Sequence, residues 1–334
     1  MHFLLTGGSG FIGSNLARLL VARGHTVRAF VRRTSVRTEL EKAGATFAVG
    51  DLNTGEGLAE ALDNVDVVLH LAGLTKARTE EEYFRCNGEG TRRLAEAISR
   101  LDRPPRLVYC SSLSAAGPTT VGRPRREEDE PRPVSVYGRS KLAGEVAVRQ
   151  YADTVPTVIL RPPIVYGPAD REFIPSVLPM AKLGLYLKSG LGPKRYSLIH
   201  VDDLCEGIYR AALEGKTLEA GVPGQGIYFL TDGRDEYTWE EICETLGRAL
   251  GKTRNVIIPV PDAVSYVAGL GSEWVSRVRG TVPILNRDKA TEMRQEAWTC
   301  SAERAQRELK YTPKVPLNTG VQTTIDWYRR EGWL

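Results

Sequence analysis

The sequence predicts an α/β fold, a doubly wound parallel sheet of the Rossmann type with a smaller, discontinuous C-terminal lobe. Two observations support this prediction. Short apolar runs alternate with segments of helical periodicity through the first half of the chain, at the spacing of βαβ units. The chain also opens with an apolar run at residues 3–5, which leads into closely spaced glycines and then into a helical pattern at residues 12–20.

The glycine-rich stretch TGGSGFIG at residues 6–13 is the motif around which the rest of the chain is organised. Glycines let a backbone turn tightly and approach a ligand, and the helix N-terminus that follows presents N–H groups to negative charge. A dinucleotide pyrophosphate needs this arrangement. The spacing is T-G-x-x-G-x-x-G rather than G-x-G-x-x-G, so the strand before it and the helix after it are what favour a dinucleotide site over an ordinary loop.

The other elements of the first half follow in order. The patterns predict strands at residues 26–33, 45–49, 65–71, 106–110 and 157–160, and helices at 87–98 and 137–150. Residues 65–71 are apolar except for Asp66 and His70, as in a strand that is buried on both faces. Ligands bind at the carboxyl ends of such strands, so the residues that follow each strand are site candidates.

The second half is less regular. Prolines at 168, 175, 179 and 193 indicate a smaller lobe beside the sheet. Strands are predicted at 197–201 and 226–230, both returning to the sheet, and helices at 239–250, 262–278 and 324–330. Residues 262–278 are apolar enough to lie on a membrane, but two glycines and Glu273 interrupt them, which favours core packing or a pocket cover. We assign 1–168 and 196–231 to the dinucleotide domain, and 169–195 and 232–334 to the substrate lobe.

Composition narrows the class of protein. The 45 basic and 41 acidic residues are scattered, a mixture that argues against a nucleic-acid partner. The five cysteines lie far apart without a C-x-x-C pair, which favours a reduced compartment and argues against a metal cluster. No apolar run approaches the ~18 residues of a membrane span, and the first strand leaves no room for a secretory signal. We expect a cytoplasmic protein that binds a small-molecule substrate, without stable membrane insertion.

Tyr137 and Lys141 are four residues apart and share one face of the predicted helix. A phenol with its ordinary pKa of about 10 is a poor acid or base at neutral pH, but a nearby ammonium lowers that pKa. Ser112, at the end of a neighbouring strand, would hold a substrate oxygen beside the phenol, as hydride transfer to a carbonyl carbon requires. A Tyr-x-x-x-Lys pair alone often occurs by chance, but here the serine and the glycine turn accompany it.

Eight motifs together resemble the extended short-chain dehydrogenases/reductases, the superfamily of nucleotide-sugar epimerases, dehydratases, 3β-hydroxysteroid dehydrogenases and dihydroflavonol reductases. They are TGGSGFIG (6–13), GDL (50–52), HLAG (70–73), NGEGT (87–91), SSLS (111–114), YGRSK (137–141), RPPIVYGP (161–168) and IHVDDL (199–204). The similarity spans nearly the whole chain and is nearest in pattern to the 3β-hydroxysteroid dehydrogenase and dihydroflavonol reductase members.

The resemblance implies a catalytic triad of Ser112, Tyr137 and Lys141, with Lys141 also holding the nicotinamide ribose. It implies a cofactor site made of Gly7, Gly10, Phe11, Ile12, Gly13, Asp51, Leu52, Leu71, Ala72, Gly73, Asn87, Ser111, Tyr137, Lys141, Pro162 and Ile164. Members of the family often form homodimers through two helices of each subunit, and the resemblance implies a homodimer here.

The end of the second strand indicates which cofactor is bound. NAD-selective relatives carry a carboxylate there for the ribose 2′-hydroxyl, whereas this chain has Val31 followed by Arg32 and Arg33. Arginine suits a 2′-phosphate. We therefore predict NADP, with NAD as the alternative because arginine is also common at strand ends and some family members accept either.

Departures from the nucleotide-sugar pattern predict the substrate class. Sugar epimerases resemble R-x-x-N-x-x-G at the sixth strand, with the asparagine on the substrate pyrophosphate, but this chain has Ile164, which cannot hydrogen-bond a phosphate. Their phosphate-binding arginine lies five residues before the valine of the H-V motif. Counting back from Val201 gives Tyr196, with Arg195 one place off.

The sequence thus predicts an NADP-dependent oxidoreductase that interconverts a carbonyl and a secondary alcohol on an apolar, steroid-, terpenoid-, polyketide- or flavonoid-like molecule. The candidate substrate contacts are Ser112, Ser114, Tyr166 and Tyr196. The alternatives are a nucleotide-sugar epimerase or dehydratase with tightly bound cofactor, and a catalytically silent cofactor-binding protein, which the intact triad argues against. His70 and His200 are interpreted as core residues, and the charged run 123–130 as a solvated loop.

Overall fold

The computed structural model describes residues 1–261 and 287–334, so the predicted helix at 262–278 lies outside the described residues. The strands are β1 His2–Thr6, β2 Thr26–Val31, β3 Thr46–Val49, β4 Val67–His70, β5 Arg106–Cys110, β6 Thr157–Arg161, β7 Ile164–Tyr166, β8 Leu185–Ser189, β9 Arg195–Tyr196, β10 Leu198–His200, β11 Ile227–Phe229, β12 Tyr237–Thr238, β13 Val256–Val260 and β14 Ala297–Trp298.

The helices are α1 Phe11–Ala22, α2 Thr38–Lys42, α3 Leu58–Leu62, α4 Glu80–Tyr83, α5 Thr91–Ser99, α6 Leu113–Ala116, α7 Val136–Arg149, α8 Phe173–Leu183, α9 Val201–Glu214, α10 Trp239–Ala249, α11 Arg287–Arg294, α12 Glu303–Glu308 and α13 Leu317–Arg330. A π-helical segment, Phe84–Gly90, joins α4 to α5.

Seven strands form the main sheet, in the order β11-β6-β5-β4-β1-β2-β3, and their pairings are parallel. Alternate residues of the central strands face opposite sides, as the pleat of a strand requires. Phe3 and Leu5 pack with residues of α1 and α9, whereas Leu4 packs with residues of α3 and α5. Helices therefore cover both faces, and the predicted doubly wound α/β fold is confirmed.

The strand order places a crevice beside β1. The chain runs outward from β1 through β2 to β3 and then returns on the other side of β1 as β4. Helices on the two sides of this reversal diverge, so the carboxyl ends of β1 and β4 border an open cleft where ligands of such sheets bind.

The second half contains more regular structure than its prolines indicate. Residues 169–184 include α8, because Pro175 lies in the first helical turn, where no helical N–H is needed, and the helix tolerates the interior Pro179. The last helix begins at Leu317 rather than at the predicted residue 324. The Thr324 hydroxyl donates to the Gly320 carbonyl within that helix. Because glycine and threonine have low helix propensity, the sequence pattern did not predict the first half of the helix.

Two further predictions about the lobe are corrected. The predicted strand at 197–201 does not return to the main sheet within the described residues, because β10 pairs in parallel with β7 as a separate two-stranded sheet. Residues Ala305, Leu309 and Tyr311, assigned by sequence to the substrate lobe, pack into the main core beside β11. A third core cluster joins α8, α10 and α13 to β7 and β10, and this cluster forms the body of the lobe.

Candidate active site

The glycine turn after β1 contacts the end of β4 so closely that side chains are excluded. Gly7 has a φ of +71°, and a Cβ on it would lie 2.6 Å from the Ala72 nitrogen. A Cβ on Gly13 would lie 2.3 Å from the Gly7 carbonyl oxygen. No side chain of the described residues caps the start of α1, and its first turn holds no acidic residue. This cradle fits the pyrophosphate of a dinucleotide cofactor.

Residues from four elements border the same cleft. A Cβ on Gly73, just after β4, would lie 3.0 Å from Asn87 Oδ1 and 3.5 Å from Lys141 Nζ. The half-buried Cys86 thiol beside them has a pKa that burial raises and that the charges of Lys141 and Arg32 lower. The segment after β4, the π-helical segment and α7 therefore meet at one cleft, and the charge of Arg32, after β2, acts on it. Cys86 belongs to this cleft, whereas the four other cysteines are buried.

The residues after β2 and β3, at the far end of the cleft, make few hydrogen bonds or ion pairs. Arg32 and Arg33 are exposed after β2, and Arg33 Nη2 lies 3.4 Å from Glu56 Oε1. Asp51 Oδ1 accepts the backbone N–H of Asn53 at 2.8 Å, and Leu52 is buried. An exposed guanidinium at this position has the charge and the freedom to meet a phosphate.

Asn87 organises the cleft. It is fully buried, and its Oδ1 accepts the Leu74 N–H at 2.7 Å. Its amide nitrogen donates to the Leu74 carbonyl at 3.0 Å and to Ser140 Oγ at 2.9 Å. These bonds hold the loop after β4 against α7, and the contact of Asn87 with the cofactor stays a prediction.

Ser112 and Tyr137 are brought together at the carboxyl end of β5. Ser112 caps α6, and its Oγ accepts the Ser114 N–H at 3.1 Å. The Ser112 side chain also lies near enough to the Tyr137 phenol to lower the pKa of that phenol. The approach of α6 to α7 depends on Gly138, because a Cβ there would lie 2.3 Å from the Ser114 carbonyl oxygen. A pair of hydroxyl groups at this place can hold one substrate oxygen between them.

Lys141 is buried in the wall of the site. Its Nζ donates to the Cys110 carbonyl at 2.7 Å and lies 4.6 Å from the centroid of the Tyr109 ring. Burial lowers the pKa of Lys141, and burial raises the pKa of Tyr137 above its ordinary value, although the nearby Ser112 side chain opposes that rise. The pKa of the phenol is therefore raised, not lowered as the sequence predicted, because burial is the largest cause of its shift.

A buried ion pair that the sequence analysis missed lies directly behind the triad. Arg161 donates to both carboxylate oxygens of Glu145, at 2.9 and 2.6 Å. The Ser111 hydroxyl, predicted to contact the cofactor, donates to Glu145 at 2.6 Å. Glu145 follows Lys141 by four residues, so an acidic residue on the inner face of an amphipathic helix was the available signal.

The two tyrosines predicted to contact the substrate lie in different surroundings. Tyr166 is fully buried in the lobe, and its hydroxyl has no hydrogen-bond partner among the described residues. A Cβ on Gly320 would lie 2.7 Å from that hydroxyl, so Tyr166 packs against α13 rather than lining the cleft. Tyr196 lies edge-on to Trp239, with ring centroids 5.9 Å apart. Arg195 Nε pairs with Glu236 at 3.6 Å.

The charged run 123–130 before α7 is exposed at Arg123, Arg126, Glu128 and Glu130, as expected of a solvated loop, but it is also anchored to the rest of the fold. Thr119 bridges to Ala297, and Arg125 bridges to Cys300. Glu127 is buried and accepts the Phe229 N–H at 3.2 Å. The loop therefore joins β11 of the main sheet to the C-terminal segment.

His70 is a core histidine, as expected. Its two ring nitrogens lie 2.6 Å from Thr6 Oγ1 and 2.9 Å from Thr91 Oγ1. Burial lowers the pKa of His70 to about 3, so the ring stays neutral at physiological pH.

In the described parts of the chain there is no group of three His, Cys, Asp or Glu residues that could bind a metal ion. None of the helices within residues 1–261 and 287–334 has the length and apolarity needed to cross a bilayer.

Comparison with known proteins gives a consistent family. The model of the NAD dependent epimerase/dehydratase family matches residues 3–222. A ceramide reductase of Caulobacter vibrioides is 32% identical over 99% of this chain and 95% of that protein. A 4-hydroxy-2-methyl-3-oxo-4-farnesyl-3,4-dihydroquinoline-1-oxide ketoreductase of Stigmatella aurantiaca is 35% identical over 70% of this chain and 69% of that protein. The solved UDP-glucose 4-epimerase of Thermus thermophilus, in complex with NAD, is 25% identical with a TM-score of 0.75, covering 98% of this chain and 99% of that one.

The contact between α6 and α7 gives a first prediction. Gly138→Ala should reduce turnover by roughly 10- to 100-fold, because the added methyl must push α7 from the Ser114 carbonyl and part Tyr137 from Ser112. Stopped-flow NADPH oxidation measures the turnover. Gly192→Ala is the control, since a Cβ there meets nothing within 4 Å. Equal turnover in both variants would contradict the close approach.

Proposed function

The chain belongs to the NAD dependent epimerase/dehydratase family, as an NAD(P)-dependent oxidoreductase of the extended short-chain type, and we propose that it interconverts a carbonyl and a secondary alcohol on an apolar small molecule. One observation carries the proposal. The close approach of α6 to α7 at Gly138 brings Tyr137 near Ser112, one helical turn from the buried Lys141, beside a cleft whose glycine cradle fits a dinucleotide.

The residues of the site have separate tasks in this reaction. The nicotinamide, when bound, supplies or accepts the hydride. Ser112 and Tyr137 hold the substrate oxygen, and Tyr137 exchanges a proton with it. Since burial raises the pKa of Tyr137, the phenol keeps its proton at neutral pH, which suits a donor to a carbonyl that is being reduced. Lys141 places a positive charge behind this group and, by family resemblance, contacts the nicotinamide ribose.

NADP is the proposed cofactor, with NAD as the alternative. The exposed Arg32 and Arg33 at the end of β2 support NADP, because a guanidinium can bind the 2′-phosphate in a bidentate manner. The solved relative in complex with NAD supports the alternative. Dimerisation through two helices of each subunit stays a prediction.

The substrate lobe supports an apolar substrate. Ile164 and Tyr196 stand where sugar epimerases have phosphate-binding side chains, and the neighbouring Arg195 is paired with Glu236. The two similar reductases are named for substrates with long apolar chains, a ceramide and a farnesylated quinoline. A nucleotide-sugar epimerase is the second candidate, which the likeness to the Thermus thermophilus enzyme favours.

The direct test is NADPH oxidation with a panel of carbonyl probes. We would compare a 3-ketosteroid, a flavanonol and a β-keto ester with UDP-glucose and dTDP-glucose, the last two assayed for epimerisation and dehydration. Turnover of at least one apolar probe supports the proposal. Conversion of a sugar nucleotide with no turnover of the three carbonyl probes contradicts it.

Tyr137 provides the catalytic prediction. Tyr137→Phe should keep the fold and the affinity for NADPH but lose about 10²- to 10⁴-fold in turnover, because a positioned acid–base group contributes that much. Tyr83→Phe is the matched control, since this neighbouring phenol, with its ring centroid 6.3 Å from that of Tyr137, bonds the Thr75 carbonyl instead. Wild-type turnover in the Tyr137→Phe variant would end the proposed mechanism.

Cofactor choice is tested by binding. NADPH should bind more tightly than NADH, and Arg32→Ala should weaken NADPH by roughly 10- to 100-fold while leaving NADH unchanged, because only NADPH carries the 2′-phosphate. Fluorescence titration gives both dissociation constants. Arg100→Ala, an exposed arginine paired with Glu96, serves as the control. Tighter binding of NADH, unaffected by Arg32→Ala, would reverse the assignment.

The substrate class has its own binding test. UDP and dTDP should not bind the NADPH-loaded protein at micromolar concentrations, since Ile164 offers no donor and Arg195 is held by Glu236. Isothermal calorimetry measures this binding. Micromolar affinity for either nucleotide, abolished by Arg195→Ala, would restore the epimerase as the leading candidate.

A further inference from the structure

The first turn of the catalytic helix α7 is held by a side chain from the C-terminal lobe. The backbone N–H of Val136 donates to Asp288 Oδ1 at 2.6 Å. The backbone N–H of Tyr137 donates to the other carboxylate oxygen, Oδ2, at 3.4 Å. Helix N-termini leave such N–H groups unpaired and favour negative charge, so a carboxylate here matches the helix in both respects.

The same lobe helix makes a second contact with this turn. Ser135 caps α7, and its hydroxyl oxygen accepts the Gly138 N–H at 3.0 Å. That hydroxyl donates its proton to Glu292 Oε1 at 2.8 Å. Asp288 and Glu292 are four residues apart on α11, so one face of α11 contacts the whole first turn of α7.

The position of α11 is in turn set by the substrate lobe. The buried Lys194 ammonium donates to the carbonyl oxygens of Met293, Arg294 and Gln295, at 2.9, 2.9 and 3.0 Å. The Trp298 indole N–H donates to the Glu292 carbonyl at 2.9 Å. Lys194 comes just before β9, the strand that holds Tyr196, so hydrogen bonds connect the candidate substrate wall to α7 through α11.

We propose that Asp288 is a positioning residue for Tyr137. Its carboxylate holds the backbone of Tyr137 and of the residue before it, and so sets where the phenol lies relative to Ser112 and to a substrate in the lobe. The inference rests on the proposed function, in which Tyr137 transfers the proton. A displacement of the phenol by about 1 Å is enough to reduce turnover by roughly 100-fold.

The test compares Asp288→Ala and Asp288→Asn with wild type. Asp288→Ala should speed hydrogen exchange at the Val136 and Tyr137 amides, a readout that needs no substrate. The kcat of Asp288→Ala is measured with whichever carbonyl probe of the panel the wild type turns over fastest. This kcat should fall by about 10- to 100-fold, while the KM for NADPH changes by less than about 2-fold. Asp288→Asn keeps one acceptor oxygen and should recover part of that loss.

Asp203 offers a matched control. Its two carboxylate oxygens accept the backbone N–H groups of Lys314 and Val315, at 2.9 Å each, on a segment that carries no triad residue. Asp203→Ala removes the same kind of contact, so it should lower the melting temperature without selectively lowering kcat. An Asp288→Ala loss that merely matches the Asp203→Ala loss would assign Asp288 a structural role only.

Two further outcomes overturn the inference, and both differ from a failure of the proposed function. If hydrogen exchange at the Val136 and Tyr137 amides is unchanged in Asp288→Ala, the Asp288 carboxylate does not hold these two amides. Unchanged kcat in Asp288→Ala, with Tyr137→Phe inactive, removes the positioning role and leaves the mechanism intact. A fully active Tyr137→Phe removes the proposed function itself, whatever Asp288→Ala does.

Discussion

The buried ion pair of Glu145 and Arg161 is the interaction on which the candidate site depends. Both side chains are almost wholly inaccessible to solvent, at 0% and 1% exposure, and the Ser111 hydroxyl completes the carboxylate's bonds. The pair joins α7, β5 and β6, the three elements that carry the phenol, the serine hydroxyl and the residues after β6. Loss of one partner from such a pair costs about 3–5 kcal/mol, because it leaves a buried charge without compensation.

Close contacts at three glycines, together with the ion pair, determine the positions of α7 and of the glycine turn. A Cβ on Gly144 would lie 2.2 Å from the Tyr109 hydroxyl, so α7 can lie against β5 only with glycine at that position. Gly138 permits the approach to α6 in the same way, and Gly7 permits the approach of the first turn to β4. The catalytic helix and the cofactor cradle are thus placed by close contacts of backbone with backbone or with a tyrosine ring. Such contacts tolerate little displacement, which suits a site that must align a proton and a hydride.

Burial is the main cause of the pKa shifts in the site. Lys141 and Tyr137 are both desolvated, which lowers the pKa of the ammonium and raises the pKa of the phenol, so both groups are driven toward their neutral forms. A bound anionic cofactor would oppose this tendency for the lysine, because an opposite charge nearby favours its charged form.

The sequence alone determined the doubly wound sheet, the glycine cradle and the grouping of Ser112, Tyr137 and Lys141, because these depend on local periodicity and on short motifs. Only the tertiary structure decided the role of Asn87, the burial of Tyr166 and the contact of Asp288 with α7. The last contact joins residues 152 positions apart in the chain. No local pattern marks such a partner, since the free energy of a buried hydrogen bond or ion pair depends on which groups folding brings together and on the solvent it removes.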